Sequence, residues 1–130
     1  MKVNKLEERF VKMSVGTIDI YTFPMTVNDL AKISYVAVRG RDKEEGAVQR
    51  VLNKKRISSI KQYVLDGNMF VNSFVINWND ENYVPEIIDD QIIIPLVDSV
   101  AQLIDGQHRL EGLKEAVKVD ESINNKTLLV

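Results

Sequence analysis

The strongest constraint on the fold lies between Ser99 and Val117, where a β-forming run passes into a helical one with no linker between them. Ser99-Val100-Ala101-Gln102-Leu103-Ile104 reads as a short strand, and Leu110, Leu113, Ala116 and Val117 recur at helical spacing. Between them stands Asp105-Gly106-Gln107-His108-Arg109, so the chain's one histidine, an arginine, an aspartate and a glycine share a strand-to-helix junction. Chemistry is expected there first.

Composition bounds what surrounds the junction. At 130 residues, 45% hydrophobic and 28% charged, the chain has the size and balance of one domain over residues 1–130 with a core of its own. The absence of cysteine excludes a disulfide framework, a cysteine nucleophile and a thiolate metal site, and a single histidine argues against zinc. No stretch approaches the roughly 20 apolar residues that cross a bilayer, and the charged start (Lys2, Lys5, Glu7, Glu8, Arg9) does not resemble a signal peptide. The expectation is a cytoplasmic protein with no membrane partner.

Charge is distributed unevenly. Arg39, Arg41, Lys43, Arg50, Lys54, Lys55, Arg56 and Lys61 are opposed only by Asp42, Glu44 and Glu45. From Asp80 to Asp105 the sign reverses, with no lysine or arginine. With a net charge of -2 this is no uniformly basic nucleic-acid binder, but it leaves room for a localised basic site on a phosphate or a stretch of DNA backbone.

Periodicity supplies the remaining elements. Ser14–Tyr21 alternates as a strand, closed by Phe23-Pro24, and Thr26 is placed to cap a helix through Leu30, Ile33 and Val36. Arg39–Gly46 has the composition of a solvated loop, followed by a short helix or turn around Val48–Leu52. Lys55–Leu65 is a helix with its basic residues turned from the core, stopped by Asp66-Gly67. Asn72–Trp78 is a strand, Gln91–Val97 another that Pro95 sends to an edge or splits, and a helix runs from about Gln107 to Lys118. A strand begins at Thr127 and the sequence stops at Val130, which reads as the N-terminal part of a longer protein.

Two readings of the junction stand side by side. A glycine before a helix lets the backbone turn sharply and presents amide donors at the positive end of the helix dipole, a place where phosphate is stabilised. Arg109 would add a two-pronged contact, His108 would donate to phosphate oxygens or shuttle a proton, and Asp105 would hold magnesium or orient His108. In the plainer reading Asp105 caps the helix, His108 is a satisfied polar residue and Arg109 pairs with Glu111 or another carboxylate. The second cluster, Gln49-Arg50 with Lys54, Lys55 and Arg56, is either a basic site near this turn or a solvated helix face.

Ile104–Gly112 resembles the DGQHR signature of a bacterial family. The likeness runs upstream through Gln49-Arg50, Lys55-Arg56-Ile57, Ile60, Tyr63 and the Phe70–Val75 run, and so spans about residues 47–118. The family includes DndB, a regulator in DNA phosphorothioation, and its fold is similar to the ParB N-terminal domain and sulfiredoxin. The resemblance implies a small mixed sheet flanked by helices, with the turn at the mouth of a pocket. ParB reads Gly-Glu-Arg-Arg at the equivalent turn and sulfiredoxin Gly-Cys-His-Arg. On that pattern Gly106, Gln107, His108 and Arg109 would bind a phosphate or nucleotide, with Arg50 and Arg56 completing the pocket. Gln107 stands at the cysteine position, which excludes sulfiredoxin chemistry, and it can only position a water or an oxygen where a glutamate would act as a base.

The expected function is therefore a DndB-like regulator domain of DNA-modification or defence systems that binds a nucleoside triphosphate, with magnesium and ATP or CTP as candidate ligands. One alternative is a DNA-backbone module using Lys54, Lys55 and Lys61 without a nucleotide. The other is a nucleotide- or DNA-cleaving enzyme with His108 and Asp105 as its catalytic pair. A homo-oligomer or partner proteins of the modification system are further expectations.

Overall fold

A computed structural model describes residues 3–36 and 53–130. The chain runs β1 (Lys5–Arg9), β2 (Val11–Val15), β3 (Ile18–Thr22), β4 (Pro24–Thr26), α1 (Val27–Ile33) and β5 (Ser34–Tyr35). It resumes with α2 (Lys54–Leu65), β6 (Val75–Trp78), β7 (Glu86–Ile88), β8 (Gln91–Pro95), β9 (Ala101–Asp105) and α3 (Gln107–Val119). A 3₁₀ turn (Glu121–Asn125) and β10 (Thr127–Leu129) complete it. This is a mixed α/β fold in which the strands form several small sheets. The loop expected at Arg39–Gly46, the turn around Val48–Leu52 and Arg50 lie outside the described residues.

The sheet that positions the junction has the order β5-β9-β6, with β9 parallel to β5 and antiparallel to β6. Its central strand is apolar where it is covered: Ala101 and Leu103 are fully buried, and the chain emerges at Ile104 and Asp105. α3 follows at once. Leu110, Leu113 and Ala116 recur every third residue on its buried face, and Gln107, His108 and Gly112 are also buried on this helix. Leu110, Leu113 and Ala116 belong with Leu30, Ile33, Phe74 and Ile94 to one core, where each large apolar side chain contributes about 1.5–3 kcal/mol.

α1 begins as expected, with the Thr26 hydroxyl accepting from the Asp29 N–H at 3.2 Å. It stops at Ile33 rather than reaching Val36, because Ser34 and Tyr35 turn extended to pair with Ala101 and Gln102. The chain exchanges helical bonds for sheet bonds there, and the Ser34 hydroxyl donates back to the Leu30 carbonyl at 2.6 Å.

Two further sequence readings are corrected, and one element is added. The single strand expected over Ser14–Tyr21 is part of a hairpin, β2 with β3, reversed at Gly16 with φ 62°. The apolar alternation persisted through the turn because the cross-strand partners Val15↔Ile18 and Met13↔Ile20 are themselves apolar. Pro95 neither sends its strand to an edge nor splits it. β8 is central in the sheet β1-β8-β7, and Pro95 is its last residue, opposite Lys5. The charged start is β1, whose Leu6 packs against the core while Lys5, Glu7 and Arg9 stay exposed.

β4 pairs with β10, and the Phe74 N–H donates to the Leu129 carbonyl at 2.8 Å, which joins this ribbon to the lead-in of β6. Among the described residues no helix is long and apolar enough to cross a membrane.

Candidate functional site

β9 delivers the chain to Gly106, which takes up φ 107° and ψ 16° and opens α3 without any side-chain cap. Asp105 therefore does not cap this helix. Its carboxylate is largely exposed and lies 3.7 Å from Arg109 Nη2, so Arg109 pairs with Asp105 while Glu111 takes Lys114. A Cβ at Gly106 would overlap the Phe74 ring, so the residue must be glycine for close packing as well as for its dihedrals.

Arg109 lies over that same ring, its guanidinium carbon 4.3 Å from the Phe74 centroid and 5.9 Å from that of Phe70. Nη1 donates to the Asn72 carbonyl at 3.0 Å and Nη2 to the Ser73 carbonyl at 3.1 Å. The planar fork thus clamps the segment leading into β6 to the start of α3. Gly106, Phe74 and Arg109 form one stack in which the glycine makes room for the ring and the ring carries the cation.

The two residues between glycine and arginine face inward. Gln107 is 3% exposed; its Nε2 donates to the Leu103 carbonyl at 3.3 Å, and its Oε1 is buried with no hydrogen-bond partner. His108 is 7% exposed, and its Nε2 accepts from the Asn53 backbone N–H at 3.0 Å. That bond requires a bare Nε2 and leaves the neutral ring's proton on Nδ1.

Asn53 is the N-cap of α2, and its side chain accepts from the Arg56 N–H at 3.2 Å. The His108 bond therefore ties the start of α2 to the start of α3. The helices cross closely at Gly112, where a Cβ would overlap Ile60. Lys54, Lys55 and Arg56 form the exposed first turn of α2, which contains no acidic residue. Cations at the positive end of a helix dipole cost about 0.3–1 kcal/mol each. The juxtaposition of basic helix and junction suggested by the sequence is present in the fold. Lys61 lies further along α2 and is half-buried.

Asn53, Phe74 and Ile60 were missed as members of this site. Asn53 had a local signal, an asparagine before a helical run. Phe74 and Ile60 had none, because their roles exist only across the interfaces with Gly106 and Gly112. Among the described residues no three acidic or histidine side chains gather around a point where a metal ion would sit.

The fold and turn together define a small mixed α/β domain organised around a glycine-started helix with a basic helix tied to it. The chain belongs to the DndB family, since the family model described as DNA-sulfur modification-associated matches residues 10–130. Membership associates it with DNA-sulfur modification. No curated protein and no solved structure matches it.

Proposed function

We propose that the chain is a regulator domain of DNA-sulfur modification that recognises a phosphate-bearing ligand, a nucleoside triphosphate with magnesium in the first instance, at the joined starts of α2 and α3. One observation carries the reading: Lys54, Lys55 and Arg56 occupy the first turn of a helix where their charge is unfavourable, beside a second helix start linked through His108. An anion there reverses the sign of both terms. His108 holds the two helix starts in register, and Arg109 shapes the turn through Phe74 and the 72–73 carbonyls. Gln107 faces the interior, and its buried Oε1 is an acceptor that cannot bind a phosphate oxygen. Asp105 is the exposed carboxylate of the turn and would supply one oxygen to magnesium brought by the phosphates.

Calorimetry with ATP, CTP and GTP, with and without magnesium, tests this on the wild type and on Lys54→Ala/Lys55→Ala. Binding by the wild type and at least tenfold weaker binding by the variant is expected. Failure of every nucleotide to bind overturns the triphosphate assignment. A DNA-backbone reading is favoured by a separate observation: Lys54 and Lys61 stand seven residues, two helical turns, apart along α2. A DNA affinity that falls steeply with salt and ignores magnesium would support it instead.

A further inference from the structure

A cavity of about 480 Å³ opens between β3 and β6, with the buried Ile92 and Ile94 of β8 in its lining. Both flanking strands are incompletely paired. Among the described residues β3 has only β2 as a ladder partner, and β6 has only β9, so each keeps one backbone edge without a ladder partner, and residues of both strands line this space. At one end the space is already filled. Val130 exchanges two 2.9 Å backbone bonds with Phe23, the residue between β3 and β4, and Leu129 accepts from the Phe74 N–H on the opposite side. The end of β10 thus sits between the chain entering β4 and the chain entering β6 with partners on both sides. The cavity continues that gap between the same two stretches of chain, 18–23 and 73–78. At that end the spacing is that of hydrogen-bonded strands, about 4.8 Å from each neighbour.

We propose that this cavity is an acceptor for a single extended strand of a partner polypeptide, antiparallel to β3 and parallel to β6, in the register set by the Val130–Phe23 pair. Backbone bonds to both edges would supply the affinity, and apolar residues at alternate positions would turn onto Ile92 and Ile94. The rim fits the same partner: Ile18 is 64% exposed and Val75 44%, and Ile18 continues into the exposed Val11 and Met13 of the hairpin. An apolar surface flanked by open strand edges invites pairing. A second copy of this chain is a poor donor, since every described strand is already paired within its own fold.

The test is hydrogen exchange and ¹⁵N NMR on the chain titrated with a lysine-flanked peptide of alternating threonine and valine. One peptide per chain is expected to bind and to slow exchange at residues 18–22 and 75–78, and a version with proline at alternate positions is expected not to. The same segment fused after Val130 acts at high effective concentration; it should protect the same amides and raise the melting temperature by several degrees. The proposal is overturned by no protection in either format, by protection elsewhere, or by self-association that protects these amides without peptide.

Discussion

Gly106 shows how one residue can be required for two independent reasons. Its φ of 107° is strained for any L side chain, and a Cβ would overlap the Phe74 ring. Gly106→Ala is therefore expected to destabilise the chain by about 2–4 kcal/mol, measured by urea unfolding, combining backbone strain with overpacking. Arg109 offers a second residue-scale test. Arg109→Lys keeps the charge but loses the planar fork, and one ammonium cannot hold the Asn72 and Ser73 carbonyls while stacking on Phe74. A loss of about 1–3 kcal/mol is expected, with faster amide exchange at Ser73 and Phe74. If lysine proves as stable as arginine, the clamp has no structural weight. The glycine and the arginine were visible in the sequence as unusual residues at a turn. Phe74, the residue that explains both, was legible only as part of a strand, because nothing local records which ring lies beneath a turn.

At the scale of elements, α2 and α3 meet through a glycine crossing and a histidine hydrogen bond, and their starts bear on function and stability with opposite signs. Three cations in the first turn of α2 oppose its dipole. Lys54→Glu/Lys55→Glu is accordingly expected to raise the stability of the unliganded chain by about 1–2 kcal/mol while abolishing phosphate binding. Thermal unfolding paired with calorimetry reads both. Loss of stability in this variant would mean the lysines are engaged in the fold, which removes the main support for an anion site. Gly112→Ala tests the crossing from the other side. Alanine is the better helix former by about 1 kcal/mol, yet its Cβ would overlap Ile60, so a net loss is expected that Ile60→Ala partly restores. Periodicity made both helices legible to within a residue or two, and Asp66-Gly67 marked the end of α2. It could not show that they touch.

For the molecule as a whole, a net charge of -2 coexists with a basic helix start and an apolar hairpin face. A ligand bound only by the folded chain raises its stability by mass action, about 2.7 kcal/mol at 100 times Kd. The triphosphate reading therefore predicts a melting temperature that climbs with nucleotide concentration and does so less without magnesium. A shift caused equally by sodium sulfate would reduce the site to a general anion effect. The strands resisted sequence reading most at this scale. β1 is charged at four of its five positions and resembles a polar start until Leu6 is seen packed against the core and the strand paired with β8. Pro95 resembles an edge marker until its position as the last residue of a central strand is known.

The sequence by itself determined the local events: the strand-to-helix passage at Gly106, the cap at Thr26, the apolar stripes of α2 and α3, and the concentration of positive charge at Lys54–Arg56. These follow from interactions within a few residues along the chain, which leave a periodic or compositional trace. Only the tertiary structure decided that His108 joins two helix starts, that Arg109 grips a neighbouring loop across Phe74, and that a cavity opens between β3 and β6. Those relations connect residues separated by dozens of positions. No single segment encodes them, because each depends on which surfaces are buried together when the core closes.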